Sequence, residues 1–447
     1  MFRLHDRTRQ RICVAAFLLF CVLPAALILL WGITRHWPGY VAAEARRLGR
    51  QLGLRVSLEG LKYLRPGAVL YQGLHLANPE TGETLLRCRV LEANYSHATD
   101  AEGRRKPALV LLASQPEIEA AGLARLWRLV RQPLQCEGGA ADCDVRLAAA
   151  DLTLKSAQGA VTLTDVQGSI EMLSGGSQAH LAFRLAGADM PQPARVRIVR
   201  NRQISPPASG LEIDTGGGSL PCTLLALGLP ELSALGPDAR FRGYIWANET
   251  AGHSAGAWDG EVTGQLSRVD LGQLVSERFP HRLSGTAQLS IQSARFYRGR
   301  LEEATGTLTA GPGVISRSLV DAAAVKLTLQ KGAAPVAQGD MLPYQELSLA
   351  ALLDSSGLRL QGRCATGDPG TVLSDGRRRL LGEPLVQPQP VVAVLQTLLP
   401  ASEVQVPATR QTDWLVRHLP VPRVVPPRDA EHVAPYPRLR LGRAVEK

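Results

Sequence analysis

A run of 22 residues, Ile12 to Ile33, carries no formal charge and is bracketed by Arg11 and Arg35. A helix of that length rises about 30 Å, the hydrocarbon thickness of a bilayer. Lipid offers no hydrogen-bond partners, so a segment of this kind satisfies its backbone internally, as a helix. Pro24 lies mid-run, where a spanning helix tolerates a kink. Trp31 falls where the helix meets headgroups, as does Trp37 just beyond. Arg3, Arg7, Arg9 and Arg11 precede the run, whereas the ten residues after it carry only Arg35. That asymmetry places the N-terminus inside and the rest of the chain outside the cytoplasm. The competing reading is a cleaved signal peptide. The run exceeds a usual apolar signal core, and the one small-residue cleavage pattern, Ala43-Glu44-Ala45, lies well beyond it. The expectation is therefore one uncleaved anchor, marked by Ile12, Pro24, Trp31 and Ile33. No second apolar run reaches spanning length.

The remainder reads as β-structure. Aromatics make up 5% of the 447 residues, while there are 43 glycines and 30 prolines, a balance that suits turn-rich strands better than long helices. Tyr40 to Leu52 has helical spacing and ends at Gly53. From Leu54 the apolar period shortens to two. Val56 and Leu58, then Val69, Leu70, Leu74 and Leu76, then Leu85, Leu86, Val90 and Leu91 form short runs between turn signals. Val145, Leu147 and Ala149 alternate, followed by Leu152 and Leu154, Val161 and Leu163, and Ile170 and Met172. Leu181, Phe183 and Leu185 follow, then Val196 and Ile198. Glycines punctuate these runs, as in an antiparallel meander. A second such block spans 241–310. Helices are expected at 117–132, 223–234, 269–279 and 391–399, and over part of 314–329. Prolines cluster from residue 384 onward.

The expected fold is mainly β with one N-terminal transmembrane helix. Its body is an elongated, twisted antiparallel sheet, a groove or open sandwich, with a few short helices. Residues 1–35 form the cytoplasmic tail and anchor, and 36–135 a membrane-proximal helix and first β segment. Residues 136–210 form a meander, 211–375 a second β segment with short helices, and 376–447 a Pro/Arg-rich extended or disordered tail.

Charge and cysteines narrow the function classes. The net charge of +10 is confined to the ends: residues 1–50 contribute +6, residues 376–447 contribute +5, and the middle −1. Contact with an anionic membrane fits this better than a nucleic-acid face, so no nucleic-acid partner is expected. Cys13 and Cys21 lie within the apolar run as small apolar residues. Cys136 and Cys143 flank a glycine-containing loop, so they make either a disulfide hairpin in an oxidising compartment or free thiols. Cys88, Cys222 and Cys364 have no evident partners. No C-x-x-C occurs, and the histidines show no metal-ligand spacing, so no metal or cofactor is expected.

The order of anchor, short helix and the segment LGLRVSLEGLKYLRPGAVLYQGLHLANPETGETLLRCRVLEANYS resembles the start of AsmA-like envelope proteins, a family that includes the TamB type. VRLAAADLTLKSAQGAVTLTDVQGSIEMLSGGSQAHLAFRLAG is similar to their repeated meander, and the stretch from Trp258 to Gly311 to their later glycine-spaced repeats. The likeness is one of order and texture over roughly residues 10–330; the tail falls outside it. It implies an inner-membrane protein with its body in the periplasm, an apolar β-groove, and a part in outer-membrane biogenesis and phospholipid transport. Leu181, Phe183 and Leu185 are the candidate groove lining. The implied partners are membrane phospholipid and another envelope protein. An anchored scaffold that holds a partner without lipid is the alternative.

A serine hydrolase is the third reading. Gly252-His253-Ser254-Ala255-Gly256 matches the G-x-S-x-G pattern, but that chemistry needs a strand before the serine, a helix after it and βαβ alternation around both. Here a turn and then a strand are expected, so Ser254 reads as a loop residue and the protein as no enzyme.

Overall fold

The computed structural model describes residues 14–27, 29, 38–99, 103, 105–119, 122, 125–126, 143–156, 159–173, 175–205, 207–226, 230–250, 258–332, 339–365 and 368–399. Ile12, Trp31 and Ile33 of the expected anchor lie outside these residues. Pro24 lies within them, in a helical stretch over 14–27 that takes a π turn at Leu18–Val22. The amide of Leu23 donates to the carbonyl of Leu18 there, one residue further back than in an α-helix. A proline ring in a regular helix meets the carbonyl four residues earlier, here that of Phe20, so the widened turn lies where the clash would fall. The apolar side chains of this stretch are exposed, Phe20 by 74% and Phe17 by 61%. Among the described residues no helix is long and apolar enough to cross a membrane.

Helix α1 (Pro38–Leu52) stops at Gly53, whose φ of +64° is the left-handed conformation that glycine supplies at a helix end. The strands follow: β1 (Arg55–Ser57), β2 (Gly60–Arg65), β3 (Ala68–Ala77), β4 (Thr84–Thr99), β5 (Arg105–Glu119), β6 (Asp144–Ser156), β7 (Gly159–Leu173), β8 (Gly176–Leu185), β9 (Ala194–Asn201) and β10 (Ala208–Asp214). After β11 (Leu220–Pro221) and α2 (Cys222–Leu225) come β12 (Arg240–Thr250), β13 (Trp258–Asp270), β14 (Thr286–Tyr297) and β15 (Arg300–Ala310). The last part holds β16 (Gly313–Ser316), α3 (Arg317–Lys326), β17 (Leu329–Lys331), β18 (Met341–Tyr344), β19 (Glu346–Asp354), β20 (Gly357–Gly362), β21 (Thr371–Ser374), β22 (Arg379–Pro384) and α4 (Val391–Leu398).

Twenty of these strands form one sheet, and β16 pairs with β18 apart from it. Neighbours pair antiparallel, as expected of strands joined by tight turns, except β5 and β6, which run parallel across a long connection. The expected boundary near residue 210 is crossed by continuous pairing, because β9, β10 and β12 are neighbours.

Several expected helices are shorter or absent. Most of 117–132 lies outside the described residues; its start is strand, since β5 runs to Glu119 and pairs on both sides, while Gly122, Arg125 and Leu126 within it are helical. The span 223–234 resolves into α2 and a 3-10 turn at Pro230–Leu235, and 269–279 into a π turn at Gly272–Ser276. Within 314–329 the helix is α3, while Val314 belongs to β16. The segment from 376, expected as an extended tail apart from a helix at 391–399, begins with β22, which pairs within the body, and the expected helix is α4.

The two ends of the strands differ. At one end the connections are short hairpins, such as β7 to β8 and β14 to β15. At the other β6 and β7 also meet in a tight hairpin, but three longer connections carry helices: α2 lies between β10 and β12, the π turn between β13 and β14, and α3 between β15 and β19. Leu225, Val275, Leu319, Val320 and Ala393 of these connections and of α4 pack with Phe183, Phe241 and Leu266 of the strands in one core cluster. This closes the inner face of the sheet along its helical end.

Candidate functional site: an apolar face open along the hairpin end

Cross-strand registers show which side chains share a face, since neighbours directly opposite lie on the same side of the sheet. One row passes without interruption through Tyr63, Val69, Ala93, Leu111, Leu147, Gly168, Leu181, Val196, Ile213, Ile245, Val262, Ala294, Ala304, Leu353 and Leu358. That is one residue from each of fifteen strands, all of them apolar or glycine. At about 4.8 Å between strands the row is roughly 70 Å long. A twist of roughly 20° per strand would carry it through most of a turn. A second row runs beside it toward the hairpin end: Tyr95, Leu109, Val145, Ile170, Ala179, Ile198, Leu211, Ala247, Gly260, Phe296 and Leu301.

Burial grades across these rows. In the layer nearest the helices, Phe183 is 3% exposed, Ala194 1% and Phe241 2%. In the two rows most positions are only half-buried: Leu147, Leu181, Val196 and Val262 in the first, and Leu109, Ile170, Ile198, Leu211 and Phe296 in the second. Of the candidate lining, Leu181, Phe183 and Leu185 do share one face. Leu181 stands in the half-exposed row, whereas Phe183 and Leu185 are buried beneath it in the closed layer. At the end of the sheet that begins with β2 and β3, α1 covers the face, with Tyr40, Val41 and Leu48 against Leu61, Tyr71 and Ala93, and the hydroxyls of Tyr40 and Tyr63 are 2.6 Å apart. Burial raises the Tyr71 hydroxyl pKa well above its usual value, keeping it neutral in this layer.

The opposite face is polar and self-compensating. His180, Arg197, Glu212, Trp246, Glu261, Arg295 and Glu303 are successive cross-strand partners, so each acid has a base or an aromatic beside it. The ion pair of Arg295 with Glu303, at 3.7 Å and about half exposed, is worth less than about 1 kcal/mol. The Tyr244 hydroxyl donates to Glu212 Oε1 at 3.2 Å, and burial with the nearby carboxylate pushes its pKa up to about 12. The near-neutral middle of the chain is this pairing seen in composition.

Cys143 stands just before β6 with its thiol pKa raised by burial and then by Asp144; Cys136 lies outside the described residues. Ser254 also lies outside them. Cys222 is fully buried, and burial pushes its thiol up to about 11, so it is an inert core residue. Among the described residues no group of three His, Cys, Asp or Glu side chains is placed to hold a metal ion.

Sequence reasoning missed Ile198, Leu211 and Phe296 as lining residues. Each was legible as an apolar strand residue, but its place in a row depends on register, which the sequence does not carry. No family model matches the chain, nor does any curated protein or solved structure.

Proposed function

We propose that the chain is an AsmA-like envelope protein, held in the inner membrane by the apolar N-terminal helix, whose sheet carries phospholipid acyl chains along its inner face in the periplasm. The observation that supports this reading is the pair of adjacent apolar rows, running across eleven to fifteen strands, in which most positions are only half-buried. A closed sandwich buries its inner face; this one leaves a strip of it to water, and extended apolar strips on a soluble surface mark binding sites. Burying a chain there gains about 0.8 kcal/mol for each methylene removed from water. The exposed side chains at 14–27 match an anchor that lies in lipid. The α1 helix, directly after the anchor, then sets the first strands of the face next to the membrane. A row of roughly 70 Å suits local transfer or hand-over to a second envelope protein.

A photo-crosslinking residue at Ile198 or Leu211, in full-length protein purified in mild detergent, tests the reading. The expected outcome is capture of phospholipid, identified by mass spectrometry. Capture of no lipid by the well-folded protein would leave the scaffold alternative.

A further inference from the structure

The next row toward the hairpins changes character. Ser177, Arg200 and Ser209 are successive cross-strand partners on β8, β9 and β10, on the same face as Ala179, Ile198 and Leu211 one step below. The row therefore sets the Arg200 guanidinium and the Ser209 hydroxyl along the rim of the apolar strip, beside the fully buried Ser177. Arg200 is half-buried, and its Nη1 donates to Ser209 Oγ at 2.7 Å, which occupies one of its five donors. Glu249 takes the next register position on β12, so the positive charge of the rim is local to Arg200. Elsewhere on this face over the same strands the side chains are apolar. A guanidinium held at such a boundary matches an amphiphile with a phosphate beside its chains, because the fork binds phosphate oxygens in a bidentate way and gains strength where water is partly excluded.

The geometry points to Arg200, steadied by Ser209, as the headgroup site of the groove: it binds the phosphate of a phospholipid whose acyl chains lie on the Ile198 and Leu211 row. This inference rests on the groove reading and deepens it, since it assigns the residue that holds the phosphate and fixes the polarity of the lipid, chains toward the closed layer and headgroup toward the hairpins.

The test uses the full chain in mild detergent with a photo-crosslinker at Ile198. It is offered phosphatidylglycerol or diacylglycerol with the same acyl chains. The protein should capture phosphatidylglycerol about tenfold in preference, the ratio expected of one charge-assisted hydrogen-bonded contact. Arg200→Gln should bring that ratio close to one while leaving diacylglycerol capture and the unfolding midpoint unchanged. Arg200→Lys, which keeps the charge but not the fork, should give an intermediate ratio, and it serves as the reporter if Arg200→Gln does not fold. Equal capture of the two lipids by the unaltered protein, or a preference that survives both substitutions, would overturn the headgroup site. Competition by millimolar inorganic phosphate equal to that by lipid would assign the rim to free phosphate and overturn the lipid assignment. Failure to capture either lipid is a different result, and counts against the groove itself.

Discussion

At the scale of single residues, the most informative positions are three with left-handed backbone in alternate strands β3, β5 and β7: Gly73 at φ +59°, Gln115 at +49° and Asp165 at +52°. They lie at about one level of the sheet, and the alternation reverses there. Tyr71 and Leu74 are both buried although three apart, as are Ala149 and Leu152, and Val166 and Leu163. The sequence shows the same phase slip as Ala149 followed by Leu152, but not the backbone cause. Left-handed backbone costs a residue with a Cβ about 1–2 kcal/mol, least for Asp and Asn, and far more for a β-branched side chain. Asp165→Val should therefore destabilise the body by about 2 kcal/mol or more, whereas Asp165→Gly should be tolerated; urea denaturation of the two variants separates these outcomes. Phe183, 3% exposed in the closed layer, should behave as core. Phe183→Ala should cost about 3–5 kcal/mol in the same measurement, and Phe183→Asp should prevent folding, because a lone charge there has no partner.

Single elements show how local chemistry holds the closed end. Ser316 is the N-cap of α3: its Oγ accepts from the amide of Leu319 at 3.3 Å and from that of Arg282 at 3.2 Å. Ser316→Ala should cost about 1–2 kcal/mol, read as a lower unfolding midpoint. Beside it, His281 is 7% exposed, with Nδ1 3.0 Å from Ser318 Oγ. Burial lowers its pKa, so the folded state holds the imidazole neutral. The unfolded chain then takes up a proton near pH 6.5 before the folded one does. The stability from neutral His281 is complete above that value and is lost as pH falls below it toward the folded pKa. Melting temperatures between pH 7.5 and 5 should fall for the unaltered protein and fall less for His281→Gln. A slope unaffected by that substitution would show that His281 is not the group responsible. His180, also lowered, by burial and then by Arg197, leaves a residual slope of the same sign.

For the whole molecule, the main consequence is topology. On the proposed reading the arginines before Ile12 hold that end inside, which would put the sheet outside the cytoplasm. A reporter that is active only when exported should work at the C-terminal end, and a cytoplasm-only reporter there should be silent. The reverse result would remove the periplasmic reading and with it the supply of lipid to the groove. The continuous pairing from β2 to β20 also means that the two expected β segments share one face. A lipid on that face meets no domain boundary.

The sequence alone determined the kind of structure. Period-two runs such as Leu181, Phe183 and Leu185 dictate strands with one apolar face, because successive side chains on a strand point to opposite sides. Glycine punctuation dictates hairpins, and α1 and α4 were legible from helical spacing. A helix was over-read at 269–279, where apolar residues sit on a strand whose phase slips and on a single turn, whereas of 117–132 only the start, to Glu119, is strand. Leu266 and Val269, three apart, flank Arg268 at φ +56° in this way. What only the tertiary structure decided is which apolar residues are core and which are open. Phe183 and Ile198 look alike in sequence. They differ because the helices of the long connections pack over the Phe183 level of the strands, while Ile198 stands two register rows away from it. Likewise Arg200 becomes a rim residue only through the register that sets it against Ser209, a pairing made between strands and so carried by neither segment alone.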